Sequence, residues 1–375
     1  MIKRIYDNLD ELLVPNKALI IYGARQVGKT TLLRNYLSKK AIKYRFDSGY
    51  NIQIQNILSS QDFSKILEYA EGYELVVIDE AQQIPNIGMG LKILVDQMPG
   101  IKVIATGSSS FESANQIGEP LTGRKKTVIL YSIAQKELLM DCTRFDLKQK
   151  LENFLIFGSY PEVVTAKSRE EKISILTELV NSYILKDILA LERVKSSKIL
   201  WDLLKLLAFQ IGNLVSLNEL AGHLHIDVKT VGRYLDLLEK TFIITKLGGF
   251  SRNLRNEITS KNKYFFMDIG VRNAIINQFN LLDSRNDIGF LWENFVVVER
   301  LKTRSYSNIY GSSYFWRTYA QREIDLIEDR DGSLFAYECK WSETKKKSPP
   351  KEWKEQYPAA EYETITPNNY LEFMM

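Results

Sequence analysis

The sequence predicts an α/β protein of more than one domain: a parallel-sheet domain at the amino end, a helical middle with a winged helix, and a second, small α/β unit at the carboxy end. Three observations carry this. Short apolar runs alternate with helix-spaced segments up to about residue 133; helical spacing then dominates to about residue 240; strand-like runs return around a helix after residue 290. A chain of 375 residues has room for two or three cores of ordinary size.

Residues 18–22 (ALIIY), 42–46 (IKYRF), 75–78 (LVVI), 101–105 (IKVIA) and 127–130 (TVIL) are apolar or β-branched and read as buried strands. TLLRNYL, FSKILEYA and LKILVDQM between them have helical spacing, so residues 1–133 form the first domain. Residues 134–212 are helical, with KISILTELVNSYILKDILALE and ILWDLLKLLAFQIG as their main segments. Residues 213–270 carry two short helices in SLNELAGHLHIDVKTVGRYLDLLEK, with Leu217, Leu220, Leu224, Ile226, Val231, Leu235 and Leu238 facing inward. TFIITKLGGF and NKYFFMD follow as a hairpin, which makes a winged helix. Residues 271–375 hold the helix GFLWENFVVVERLK and the strand candidates YFWRTY, REIDLIE and LFAYECKW; SETKKKSPPKEW is a polar loop.

Composition excludes several classes. With 45% hydrophobic and 26% charged residues the chain is globular and not dominated by disorder, and a net charge of +4 permits nucleic-acid binding without demanding it. Cys142 and Cys339 are far apart and lack metal-ligand spacing; His223 and His225 read as surface or packing residues. No window reaches the roughly 18 apolar residues of a membrane span, and the charged start MIKRIYDNLDELL does not read as a leader, so a cytoplasmic address is expected.

GARQVGKT meets the pattern of a phosphate-cradling loop in full: Gly23, Ala24, Arg25, Gln26, Val27, Gly28, Lys29 and Thr30, with Thr31 completing the binding set. A strand enters and a helix leaves, so backbone N–H groups converge on phosphate at a helix start and the glycines allow close approach. Lys29 would reach the β and γ phosphates and the Thr30 hydroxyl would ligate Mg²⁺. The strand LVVIDE supplies the acidic partners: Asp79 for the metal shell and Glu80 to polarise the attacking water. As an isolated pair they could instead cap the next helix. VIATGSSS ends another strand in hydroxyls, placing Thr106 or Ser108, with Ser108 preferred, to sense the γ-phosphate. Arg124 in LTGRKK is a candidate arginine finger, within its own chain or toward a neighbour, or simply part of a solvated basic cluster.

GARQVGKTTLL, LVVIDEAQ, ATGSSS, LTGR and FGSYPEVV, in this order, resemble the prokaryotic AAA-type ATPases that join an AAA_14 P-loop domain to a carboxy-terminal DUF4143 region, and the similarity spans nearly the whole chain. Where that family usually shows GGYPEVV, this chain has Gly158, Ser159, Tyr160 and Pro161. The resemblance implies an ASCE-class P-loop fold and ATP as the nucleotide; SYILKDI also matches the family, without a chemical role for Lys186 or Asp187.

The second helix of the winged-helix unit carries Lys229, Thr230 and Arg233, and the hairpin Arg252, Arg255, Lys261 and Lys263; these could track DNA phosphates, or the unit could dock protein. In the last unit Asp325 ends one strand and Glu338-Cys339-Lys340 lies on the next, with Glu338 and Lys340 on one face and Cys339 on the other. Asp325 and Glu338 would hold a metal, Lys340 would orient water, and Glu293 would complete the shell. This resembles the PD-(D/E)xK restriction-endonuclease-like fold, which also serves as an inactive binding platform. The expected protein is a Mg²⁺-dependent ATPase coupled to a module that binds DNA or another nucleic acid and could cleave it. The alternative is an ATP-dependent signalling switch without nuclease activity, using protein partners or self-assembly.

Overall fold

A computed structural model describes residues 2–108, 120–184, 197–251, 261–342 and 348–375. The chain divides into two compact units, residues 3–132 with 240–242, and residues 133–239 with 243–375.

In the first unit the five expected strands form: β1 (Ala18–Tyr22), β2 (Tyr44–Ser48), β3 (Leu75–Asp79), β4 (Lys102–Gly107) and β5 (Lys125–Ile129). They pair in parallel in the order β2-β3-β4-β1-β5. Both faces of β1 and β3 are buried along their whole length, which is why these segments are continuous apolar runs without alternation. Ile66 and Tyr69 of the helix Phe63–Ala70 and Leu91, Ile93 and Leu94 of the helix Ile87–Gln97 join Ile20, Val76, Ile78 and Val103 in one core. The helix Phe63–Ala70 is started by Asp62, which accepts from the amides of Ser64 and Lys65. Insertion of β4 between β1 and β3 has a functional consequence. The strand ends at Tyr22, Gly107 and Ile129 stand side by side, with Asp79 one strand further on, so the segments after them emerge at one edge.

The second unit begins with helices and ends in a seven-stranded sheet of order β12-β11-β10-β9-β7-β8-β6. The winged-helix pair forms as Leu217–Leu224 and Val228–Lys240, with Leu220, Leu224, Val231, Leu235 and Leu238 buried but Leu217 and Ile226 only partly so. Its hairpin strands, β7 (Ile244–Gly249) and β8 (Asn262–Phe266), do not form a separate wing. β6 (Leu214–Val215) pairs with β8, and β7 pairs in parallel with β9 (Ser312–Arg317) through Gly248 and Gly249. The boundary expected at residue 270 is therefore replaced by one continuous sheet. Pairing with β9 covers the edge that a free wing would leave with unsatisfied amides.

β10 (Glu323–Arg330) and β11 (Ser333–Cys339) are joined by Asp331-Gly332, both with positive φ, the two-residue turn that matches strand twist. β12 (Glu361–Ile365) and the helices Lys351–Gln356 and Tyr370–Phe373 were not anticipated from the sequence. The helix Ile288–Tyr306 is stitched to β8 by Asn294, whose amide accepts from the Phe266 N–H and donates to its carbonyl, both at 2.8 Å.

The segment FGSYPEVV has a packing explanation. Gly158 ends the helix Leu151–Phe157 at φ 70°, and a Cβ there would lie 1.9 Å from Asp268 Oδ1. Asp268 accepts from the Ser159 amide at 2.8 Å and caps the helix Ile269–Ile275 through Gly270 N–H at 2.9 Å. Asn273 of that helix donates to the carbonyls of Leu155 and Ile156, so one glycine lets two helix ends interlock. Lys186, Asp187, Arg252 and Arg255 lie outside the described residues. Among the described residues no helix is long and apolar enough to cross a membrane.

Candidate functional site

Residues 23–30 link β1 to the helix Lys29–Leu37. Gly23 packs so closely on the end of β5 that a Cβ would sit 2.2 Å from the Leu130 carbonyl oxygen; Gly28 has φ 97°, open to glycine without strain. Between them Gln26 takes φ 60° and Val27 is buried. Lys29 is buried, and its ammonium donates to the Gly23 and Ala24 carbonyls, each at 2.9 Å. Arg25 is half-buried, whereas Thr31 is exposed on the helix. Arg4, which the sequence reading missed, lies buried under the loop and donates to the Val27 carbonyl at 2.6 Å and to the Tyr131 carbonyl at 2.7 Å. No local pattern marks an arginine that acts across so long a sequence separation.

Asp79, at the tip of β3, is held from two sides. Thr30 Oγ1 donates to Asp79 Oδ2 at 2.7 Å, and Thr106 Oγ1 donates to Asp79 Oδ1 at 2.5 Å. Thr106 also accepts from the Glu80 amide at 3.1 Å. Thr106 is thus the residue that fixes the acid, and Ser108 stands two residues further along, buried beyond the tip of β4. Glu80 is half-buried, adopts left-handed φ 53°, and accepts from Gln82 Nε2 at 2.6 Å. Gly49 lets the neighbouring strand end approach it: a Cβ at Gly49 would lie 2.2 Å from the Glu80 carbonyl oxygen. Such a backbone conformation persists for a non-glycine residue only when its surroundings over-determine it.

Arg124 is elsewhere. It precedes Lys125, which pairs with Ala18 at the start of β1, whereas the loop follows Tyr22 at the strand's end. Strand rise separates those ends by about 13 Å, and Arg124 Nε is paired with Asp96. A finger role toward the loop of its own chain is therefore ruled out by position; only action toward a neighbouring chain stays open.

The second unit has its own charged centre. The register of β10 against β9 shifts between Ile324 and Ile327, a bulge that re-aims Asp325. Asp325 Oδ2 accepts from the Cys339 amide at 2.7 Å, and Lys340 Nζ meets Glu338 Oε1 at 2.6 Å, as period-two geometry requires. Glu338 Oε2 is buried without a hydrogen-bond partner. The carboxylates that converge most tightly are Glu293, Glu323 and Asp325, with an oxygen from each within 4.8 Å of the others. Glu323 thus enters the group in the place expected for Glu338. The signal for it was present, since Glu323 and Asp325 are two residues apart on one strand.

Lys263 is the larger correction. Expected on an exposed hairpin following phosphates, it is 1% exposed, 2.7 Å from Glu293 Oε1 and in contact with Glu323. Burial works against its charge, but Glu293, Glu323 and Asp325 outweigh burial and hold its pKa above the ordinary lysine value. Burial, reinforced by Asp325, pushes Glu293 up to about 8 against the pull of Lys263, and burial followed by Glu338 raises Asp325. Of the other basic candidates, Lys229, Arg233 and Lys261 are exposed, while Thr230 is turned back onto Asp227 at 2.6 Å.

Comparison with known proteins matches three segments of the chain. Residues 15–139 match the family described as an AAA domain, residues 288–370 match the domain of unknown function DUF4143, and residues 148–282 match another domain of unknown function, DUF8612. Residues 15–139 thus form an AAA-type P-loop domain with a nucleotide-binding fold, and residues 288–370 a DUF4143 region. It is 27% identical over 330 residues to an uncharacterized protein of Mycobacterium tuberculosis, covering 87% of this chain and 70% of that one. An uncharacterized protein of Haemophilus influenzae is 27% identical over 331 residues, with 82% and 78% covered. Among solved structures, a Walker-type ATPase of Pyrococcus abyssi is similar with a TM-score of 0.49 and 16% identity, over 72% of this chain and 94% of that one.

Proposed function

We propose that the first unit hydrolyses ATP with Mg²⁺ and that its nucleotide cycle governs a nucleic-acid-binding module in the second unit. The observation that carries the first half is the 2.7 Å contact of Thr30 Oγ1 with Asp79 Oδ2. Two hard oxygens, one from the first turn of a helix and one from a strand end, stand about as far apart as neighbouring ligands of an octahedral Mg²⁺, roughly 3.0 Å for bonds near 2.1 Å. The loop fits a phosphate chain: Gly23 and Gly28 leave the backbone without side chains at its close approaches, and Lys29 places a buried cation at the loop. Bound Mg²⁺ and ATP supply the phosphoryl group and its charge neutralisation. Within that arrangement Lys29 would balance the β and γ oxygens, Thr30 and Asp79 would hold the metal, Glu80 would polarise the attacking water, and Ser108 would sense the γ-phosphate.

Lys29→Ala is expected to abolish nucleotide turnover, while Glu80→Gln keeps ATP bound and stalls hydrolysis. Turnover by Lys29→Ala at the parent rate rejects the assignment.

For the second unit, the tip between β9 and β10 supports a nucleic-acid partner: Arg317, Tyr319 and Arg322 are all exposed, Tyr319 completely. An aromatic ring between two guanidinium groups offers a stacking surface beside phosphate contacts. Single-stranded DNA binding that falls steeply with salt, and weakens by about 1–3 kcal/mol in Tyr319→Ala, is the expected result. Salt-independent or absent binding favours the signalling switch. Metal-dependent cleavage at Asp325, Glu338 and Lys340 with Glu293 completing the shell would require a metal to compete with Lys263 for the Glu293 carboxylate.

A further inference from the structure

The carboxylates of Glu293, Glu323 and Asp325 come from a helix and from two positions of a bulged strand, and their oxygens enclose a space of the size a cation fills. Lys263 sends an ammonium into that group from a third element, β8. We propose that Lys263 is the resident cation of this centre: it stands where a divalent metal would bind, and the centre takes Mg²⁺ or Mn²⁺ only when that ammonium is removed.

Four features support the assignment. The ammonium lies 2.7 Å from Glu293 and also touches Glu323, so one positive charge already bridges two of the three carboxylates. The lysine is 1% exposed and lies in an interior strand. Its backbone is paired on one side with Leu214 of β6 and on the other with Leu247 of β7, and the ring of Phe315 lies 5.7 Å from the ammonium. The neighbouring acids are partly matched: Arg317 contacts Glu323 at 3.0 Å, Lys340 contacts Glu338 at 2.6 Å and Asp325 accepts a backbone amide at 2.7 Å, while Glu338 Oε2 has no hydrogen-bond partner among the described residues. Finally, removal of a buried cation leaves carboxylates that must find another positive charge or bear an uncompensated burial. A divalent ion answers that demand with oxygen ligands of the right hardness. The inference concerns the charge that holds the centre and does not depend on whether the second unit binds nucleic acid.

The test is Mn²⁺ binding to the nucleotide-free full chain, read by electron paramagnetic resonance and calorimetry, with Asp79→Asn throughout to silence the phosphate loop. The parent in this background is expected to show no Mn²⁺ site that Asp325→Asn removes. Lys263→Ala and Lys263→Met are expected to gain one Mn²⁺ per chain, binding at least about tenfold more tightly than anything the parent retains, and to lose it again when Asp325→Asn is added. Mn²⁺ should also raise the unfolding temperature of the lysine variants and not that of the parent. A parent site abolished by Asp325→Asn overturns the proposal, as does a folded lysine variant that gains none. Should neither variant fold, the parent measurement decides alone: a site dependent on Asp325 refutes it, and none upholds it.

Discussion

Thr106→Val isolates the residue that joins the two acids of the phosphate-loop site. Thr106 is fully buried, so valine, nearly the same shape, opens no cavity and the change is confined to a hydroxyl. That hydroxyl donates to Asp79 Oδ1 and accepts from the Glu80 amide. A hydrogen bond to an ionised carboxylate contributes about 1.5–3 kcal/mol, and a buried amide left without an acceptor costs about 1–3 kcal/mol. The first loss frees Asp79 to rotate about its remaining contact with Thr30; the second loosens the left-handed turn that aims Glu80. Both act on the position of groups needed when water attacks, whereas Gly23, Gly28 and Lys29 are untouched. The expected signature is a fall in kcat on the order of 10- to 100-fold, about 1.4–2.7 kcal/mol, with KM for ATP changed little. Steady-state phosphate release at saturating and limiting ATP reads the split, and Thr106→Ser, which restores the hydroxyl, should recover most of the rate. A folded Thr106→Val enzyme with kcat within about twofold of the parent would show that Thr106 does not hold the acids in place.

Gly158→Ala forces a methyl group 1.9 Å from Asp268 Oδ1 at a left-handed position, so stability measured by denaturant should fall by more than about 3 kcal/mol, and a loss under about 1 kcal/mol would contradict the interlocked helix ends. Glu293 keeps its proton to about pH 8, above the ordinary glutamate value of 4.5. The native state therefore holds a proton that the unfolded chain has released, and stability attributable to this group falls as pH rises from about 4.5 to about 8, by at most about 1.4 kcal/mol per pH unit. Denaturation across that interval should show a shallower decline in Glu293→Gln; an unchanged slope refutes the raised acid. Arg124→Ala removes only a half-exposed pair with Asp96, worth at most about 1 kcal/mol, and should leave ATP turnover of dilute, unassociated chains intact. A loss under those conditions would place Arg124 at its own chain's loop after all, against the strand register.

The features legible in the sequence share one property: their signals are local. Residues 23–30 declare a strand, a turn and a helix within a dozen positions, and the apolar runs at 18–22 and 75–78 are buried on both faces because nothing in them alternates. The period-two relation of Glu338 to Lys340 likewise needs no partner strand to be seen. Features that depend on the register between distant segments were not legible. Arg4 reaches Val27 and Tyr131 across the fold, and β7 meets β9 through two glycines that read as the end of a wing. β12 was missed for a related reason: EYETI alternates polar and apolar residues weakly, and its pairing with β11 supplies the order that its own sequence does not.

Lys263 shows where a stricter use of physical chemistry recovers part of that lost information. Read as one of several basic residues on a hairpin, it suggested a surface that follows phosphates. Yet it sits within NKYFF, where every residue after Asn262 is buried, in a strand with neighbours on both sides. A lysine in a central, apolar strand cannot reach water by bending its stem, and burying an unpaired ammonium is far more costly than any propensity term. Its position therefore demands carboxylates close by, and Glu293, buried on the helix Ile288–Tyr306, with Glu323 and Asp325, half-buried on either side of Ile324, supply them. The same demand works in reverse. Acids gathered that closely require a positive charge, and in this structure the Lys263 ammonium supplies it.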